Sequence, residues 1–118
     1  MKYSISLKKN SDFQFIYDNG ISYANKYLVM FVRTNDLEIN RVGVSVSKKV
    51  GNSVIRHRIK RVIKECYRLH EEMFNNGLDI VVIARASIKG KNYKAIESAL
   101  LHVSNLHSIL KKEDGNND

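Results

Sequence analysis

Apolar residues change their spacing several times along this chain, and each change marks a new element. Phe13, Ile16 and Tyr17 recur at intervals of three and four after Asn10 or Ser11, either of which can cap a helix, and Gly20 follows as a stop signal. Tyr23 to Arg33 is rich in aromatic and β-branched residues, and Asn35-Asp36 follows it as a turn. From Arg41 to Ser47, Val42, Val44 and Val46 alternate with Gly43, Ser45 and Ser47, the period of a strand. These two strands are most simply joined as a hairpin. Gly51-Asn52-Ser53 opens a long helix from about Val54 to Phe74, which Asn75-Asn76-Gly77 closes. Leu78 to Ala84 is almost wholly apolar, a buried strand that nonetheless holds Asp79. A basic loop, Arg85 to Lys91, leads to a last helix from about Tyr93 to Leu110, and the polar tail Lys111 to Asp118 is expected to fray. The order helix, strand, strand, helix, strand, helix predicts an α/β (α+β) fold with a small sheet of about three or four strands.

Length adds that residues 1–118 make a single domain, with enough chain for one core and not for two. The lone Cys66 excludes a disulfide framework, and 43% hydrophobic with 27% charged residues excludes wholesale disorder. Both long apolar runs, Tyr27 to Val32 and Leu78 to Ala84, fall far short of the roughly 20 residues that span a bilayer. Met1 to Lys9 lacks the apolar stretch of a secretory signal, so a cytoplasmic location is expected.

Charge sharpens the picture because of where it sits. The chain carries 20 Lys and Arg against 12 Asp and Glu, a formal net charge of +8. Nine of the bases lie between Arg41 and Arg68 with only Glu65 among them, whereas the remaining residues balance. One concentrated positive field beside a neutral surface points to a polyanion, nucleic acid before membrane.

Projected as a helix, Ile55, Ile59, Val62, Ile63, Cys66, Leu69, His70 and Met73 share an arc of about 120°, the core face. Arg56, His57, Lys60, Arg61, Lys64 and Arg68 share a second arc of about 140°, with Arg58 near the edge of the apolar stripe. A membrane-surface helix has the same polarity but lies free of a core, whereas this one is embedded between strands. The unpaired N–H groups at its start, Asn52 to Ile55, beside Lys48, Lys49, Arg56 and Arg58, favour phosphate. In the strand Tyr27 to Val32 both alternating sets are apolar, so neither face suits bare water. The set Tyr27, Val29 and Phe31, edged by Lys26 and Arg33, resembles a stacking platform for unpaired bases, unless the first helix covers it with Phe13 and Tyr17.

No catalytic or metal-ligating set emerges. A two-metal nuclease site needs converging carboxylates, but the acids are scattered and Asp79 has no evident partner. His57 falls on the basic face and His70 on the core face, while His102 and His107 are poorly spaced for one helix face, so with Cys66 they form no zinc set.

The run Lys48-Lys49-Val50-Gly51-Asn52-Ser53-Val54-Ile55-Arg56-His57-Arg58-Ile59-Lys60-Arg61-Val62-Ile63-Lys64-Glu65 closely resembles the protein subunit of bacterial ribonuclease P. The likeness extends over Leu7-Lys8-Lys9 with Asp12-Phe13, Gly20, Ala24-Asn25, Arg41-Val42-Gly43, and Asp79 to Arg85. It departs at His57 for the usual Asn, Ser53 for Ala, Lys64 where Arg is common, and Phe31 where Tyr is frequent. The resemblance implies a two-layer α/β sandwich with a left-handed crossover between parallel strands. It also implies a subunit of an endoribonuclease holoenzyme that removes the 5′ leader of precursor tRNA, the RNA subunit and its Mg²⁺ ions performing the chemistry. The ribonuclease P RNA would dock on Lys48, Lys49, Asn52, Arg56, His57, Arg58, Lys60, Arg61, Lys64 and Arg68. The leader would lie in a cleft of Phe13, Tyr17, Val29 and Phe31, flanked by Lys26 and Arg33. The alternative is a ribosomal-protein-like structural RNA binder, which needs no leader cleft. Self-repulsion within the basic patch leaves open whether folding requires an anion, which thermal melts with and without sulfate would decide.

Overall fold

A computed structural model describes residues 3–112 of the chain. Its elements are β1 (Ser4–Ser6), α1 (Asn10–Asn19), β2 (Ile21–Ala24), β3 (Leu28–Thr34), β4 (Asn40–Val46), α2 (Ser53–His70), β5 (Leu78–Ala84) and α3 (Tyr93–Leu106), with short 3₁₀ turns at Glu71–Met73 and Ala86–Ile88. The five strands form one mixed sheet in the order β1-β4-β5-β3-β2. The expected tail falls mostly on residues 113–118, outside the described part of the chain.

β5 decides this order. Six of its seven residues are buried, so it needs cover on both faces and a strand on each side. It therefore lies between β3, antiparallel to it, and β4, parallel to it. β3 and β4 are consequently not the hairpin expected from their adjacency. Instead β4, α2 and β5 make a crossover unit with parallel strands, and the hairpin is β2–β3.

That hairpin divides what the sequence suggested was one strand, Tyr23 to Arg33. Asn25 makes the division: its Oδ1 accepts from the N–H of Tyr27 and of Leu28, and its Nδ2 donates to Ala99 O, fastening the turn to α3. β1, too short to announce itself, pairs in parallel with β4. Its anchor is Glu71, whose carboxylate accepts from Tyr3 N at 2.8 Å and Ser4 Oγ at 2.6 Å. The α-helix ends at His70 and tightens to a 3₁₀ turn there, short of Phe74.

Two apolar clusters lie on opposite sides of the sheet. The larger joins Leu28, Met30 and Val32 of β3, Val42 and Val44 of β4, and Ile80 and Val82 of β5 to α2 and α3. Within α2 the buried stripe is Ile59, Ile63, Cys66 and Tyr67, while Leu69 is 56% exposed. The stripe is thus turned toward Tyr67 and away from Leu69, because the Tyr67 hydroxyl finds partners in Ser4 Oγ (2.7 Å) and Asn40 Nδ2 (3.2 Å). Met73, the other outer member of the expected stripe, lies in the 3₁₀ turn and is exposed. The smaller cluster seats α1 on the opposite face, with Ile16, Leu7 and Val81 buried and Phe13, Tyr17, Phe31 and Ile83 around them. α1 begins after Lys9, with no side-chain cap from Asn10 or Ser11. α3 ends at Leu106, and Leu110 instead bridges to Phe74.

Candidate nucleic-acid interface

The cleft begins with a glycine. A Cβ at Gly43 would stand 2.5 Å from Phe13 Cζ, so only glycine in the middle of β4 lets the Phe13 ring lie against the sheet. One turn on, Tyr17 meets Phe31 edge-on at 5.0 Å between centroids, and Phe13 and Tyr17 lie 6.5 Å apart. α1 thus covers part of the aromatic face without sealing it. Val29 and Phe31 remain half-buried on that face, with Val29 opposite Ile83 in the register. Phe13, Tyr17, Phe31 and Val29 are therefore gathered on one side of the sheet.

Beside them the sheet edge is open. β1 pairs with β4 only as far as Val42, after which the chain turns away into α1. The uncovered end of β4 is the floor of a cleft of about 550 Å³, walled by Phe13, Gln14 and Tyr17 of α1, Ser45 and Val46 of β4, and Lys60 and Lys64 of α2, with Lys8 at its rim. Burial pushes the Lys64 ammonium below its usual value, and the positive charges of Lys60 and Lys8 push the same way. Lys8 is absent from the expected site, since its role depends on the open β4 edge rather than on any local pattern.

Along α2 the expected basic face is present. Arg56 and Lys64 are half-buried, and His57, Lys60, Arg61 and Arg68 are exposed. Arg56, His57 and Lys60 surround a second hollow of about 160 Å³ with Val46 and Ser53. Asn52 is the N-cap, its Oδ1 accepting from Ile55 N at 3.0 Å, which preorganises the helix start. Lys48 and Lys49 sit exposed in the preceding turn, which buried Val50 pins down. Two members of the basic set stand apart. Arg68 is held by Glu65 through contacts of 2.9 and 2.6 Å, and its charge is partly offset. Arg58 points to the other side of α2 and donates to Lys91 O at 3.3 Å.

The two cations expected to flank the cleft are engaged elsewhere. Lys26 sits in the β2–β3 turn, and its Nζ lies 5.7 Å from the centre of the Tyr27 ring, which packs with the α2–α3 core rather than on the cleft face. The turn ahead of β3 breaks the alternation that would have put Tyr27 with Phe31. Arg33 stacks on Phe15 at 4.9 Å and donates to Asp79 at 2.9 Å. Asp79, fully buried, also receives two bonds from Arg41 at 2.7 and 2.8 Å and one from Asn35 at 3.0 Å. Burial alone would raise its carboxyl, but the bonds from Arg41, Asn35 and Arg33 outweigh it and hold the group below its usual range. Asp79 is thus a structural anion joining β3, β4 and β5. Among the described residues no three His, Cys, Asp or Glu side chains gather as a metal site, and no helix is long and apolar enough to cross a membrane.

The arrangement offers stacking surface beside a band of cations, the two things single-stranded RNA requires. The chain as a whole is similar to known proteins. The family pattern described as Ribonuclease P matches residues 1–107. The ribonuclease P protein component of Lachnoclostridium phytofermentans is 59% identical over 111 residues, covering 94% of this chain and 96% of its own. That of Clostridioides difficile is 50% identical over 95 residues, covering 80% and 83%. Among solved structures, an RNase P protein from Staphylococcus aureus superposes with TM-score 0.83 at 39% identity, covering 90% of this chain and 97% of its own. One from Thermotoga maritima gives 0.77 at 30%, covering 82% and 92%.

Proposed function

Since the chain belongs to the ribonuclease P protein family, we propose that it is the RNA-binding subunit of a tRNA-processing endoribonuclease, gripping the catalytic RNA and the single-stranded 5′ leader of precursor tRNA. The observation that carries this reading is that Lys60 and Lys64 belong to two surfaces at once. They lie on the basic face of α2, and they wall the cleft that Phe13 and Tyr17 line.

A continuous path of this kind lets one protein hold two RNAs in a fixed relation. The catalytic RNA docks on Lys48, Lys49, Arg56, His57, Arg61 and the exposed side of Lys60, mainly through its phosphates. Leader bases stack on Phe13, Tyr17 and Phe31, and leader phosphates run past Lys8, Lys60 and Lys64. Positioning lowers the barrier by fixing the scissile phosphodiester against the RNA active site, and it adds binding energy that mature tRNA, lacking a leader, does not obtain. Mg²⁺ ions held by the RNA supply the Lewis-acid chemistry, and the products are the free leader and a tRNA with a 5′-phosphate. Four carboxylates are bonded to protein partners: Asp79 to Arg33 and Arg41, Glu65 to Arg68, Glu97 to His70, Glu71 to β1.

Reconstitution tests the proposal. The chain is mixed with a bacterial ribonuclease P RNA at low Mg²⁺ and 5′-leader removal from precursor tRNA is measured. Stimulation is expected; none would be seen from a ribosomal-protein-like binder, and its absence would overturn the reading.

A further inference from the structure

The basic loop between β5 and α3 takes no part in the cleft or in the basic face of α2, yet its cations are assembled with an aromatic ring. The half-buried Tyr27 ring carries two ammonium groups, Lys26 Nζ at 5.7 Å and Lys91 Nζ at 5.5 Å from its centre. Two ammonium groups held near one ring raise the local positive potential, which an anion would relieve. Arg58 adds a third cation, since it donates to Lys91 O across from α2. Arg85 donates to Asn25 O and Ser87 Oγ to Lys26 O, so the loop is stitched to the β2–β3 turn.

No acid balances this group. From Arg85 to Lys94 the chain has four bases and no carboxylate. Glu97 on α3 is turned toward His70, 2.7 Å away. Against the turn runs an open slot of about 260 Å³, bounded by Asn25, Lys26 and Tyr27 and, on α3, by Ala95, Ser98, Ala99 and His102.

We propose that this slot takes an unpaired nucleotide of the catalytic RNA, its base against Tyr27 and its phosphate held by Lys26, with Lys91 adding its charge from beside the same ring. The assignment rests on the docking reading given above, because Arg58 is the link that carries the basic surface of α2 over to this side of the molecule. It makes the RNA contact two-sided: α2 is gripped along its cleft-side face, and a single nucleotide is clipped on the far edge. Stacking on one aromatic gives affinity with little sequence choice.

The test uses the full chain and a bacterial ribonuclease P RNA, with dissociation constants measured over a series of KCl concentrations. Tyr27→Leu keeps the apolar bulk but removes the π-face, and is expected to weaken binding about tenfold with the salt slope unchanged. The double variant Lys26→Gln/Lys91→Gln, whose polar heads leave the core untouched, is expected to lower the slope by about one. Arg61→Ala is the control for docking through α2. If Arg61→Ala weakens binding while both slot variants bind as the parent chain does, the slot assignment is overturned and the docking reading stands. If Arg61→Ala is also without effect, the docking reading itself fails. A loss confined to the complex with precursor tRNA would give the nucleotide to the substrate, and would equally overturn the assignment. Should Tyr27→Leu lower the melting temperature, the double variant decides.

Discussion

Phe13 rests on Gly43 so closely that a methyl group at position 43 would stand 2.5 Å from Phe13 Cζ and 2.9 Å from Cε2. The ring is the end of a rotatable side chain, so Gly43→Ala is accommodated by lifting Phe13 off the sheet rather than by blocking the fold. A stability cost of about 1–2 kcal/mol is expected from this overpacking. The functional effect should be larger. With its wall displaced, the cleft loses discrimination, and the ratio of affinities for precursor and mature tRNA should fall several-fold in the reconstituted holoenzyme. An unchanged ratio would show that Phe13 does not meet the leader.

Truncating the aromatics probes the face of the sheet on which the cleft lies. Phe13→Ala and Phe31→Ala each remove a stacking surface worth about 1–3 kcal/mol per base. Affinity for precursor tRNA should drop about tenfold while affinity for mature tRNA changes little. Equal losses for both ligands would make these residues merely part of the small core around Ile16 and Val81.

How far this architecture could be read from the sequence depended on the kind of signal. α2 was legible because its caps and its 3.6-residue period are local, and Asn52 is the cap that the Gly51-Asn52-Ser53 signal suggests. The rotation of its buried stripe was not, because Tyr67 is drawn inward by Ser4 and Asn40, both remote in sequence. β5 could be recognised as buried, but alternation carries no information about neighbours, and the insertion of β5 between β3 and β4 follows from its need for cover. That Phe13, Tyr17 and Phe31 share one face is legible because strand and helix periodicities converge there. Lys26 and Arg33 lie away from the cleft for opposite reasons. A turn swings Lys26 toward Tyr27, and a buried carboxylate that showed no partner in the sequence claims Arg33. Lys8 needed the open edge of β4, which only tertiary structure reveals.

Salt dependence should separate the free cations of α2 from the compensated one. Arg61 is exposed, whereas Arg68 is bonded to Glu65 at 2.6 Å. In filter binding with the catalytic RNA, Arg61→Ala should lower the slope of log affinity against log salt by about 0.7–0.9, the value for one phosphate contact. Arg56→Ala should behave alike. Arg68→Ala should change it less, and Glu65→Gln, which releases Arg68, should steepen it. Identical slopes for Arg61→Ala and Arg68→Ala would mean that the Glu65 pairing does not persist when RNA binds.

The Asp79 carboxylate joins three strands, and its neutral isostere tests that role. Asp79→Asn leaves Arg33 and Arg41, each about a quarter exposed, facing an amide in place of a carboxylate. A loss of about 2–4 kcal/mol is expected, moderated by the exposure of the two guanidinium groups. Because the carboxyl is held below its usual value in the fold, its contribution is present above the unfolded carboxylate range, near pH 4, and disappears as the pH falls through the lower folded value. Acid melts of the parent chain should therefore fall more steeply below about pH 4 than those of Asp79→Asn. Parallel acid limbs would place the buried charge balance elsewhere.

His107 should give the fold a second, milder sensitivity to acid. Its Nε2 donates to Met30 O at 2.8 Å and its ring meets Tyr23 edge-on at 4.8 Å, at the margin of the α2–α3 core. Burial lowers its pKa, and the bond to Met30 O offsets this only in part. The unfolded chain, whose histidine titrates near pH 6.5, then takes up the proton more readily than the native one. Stability from the neutral ring is complete above about pH 6.5 and declines as the pH drops through the folded value, below which it levels off. His107→Gln keeps a donor for Met30 O and removes the titration. Between pH 7.5 and 5.5 its melting temperature should fall less than that of the parent chain, and since His57, His70 and His102 are common to both, the difference belongs to position 107. Equal falls would mean that the imidazolium is solvated in place, with the ring swung out past Tyr23.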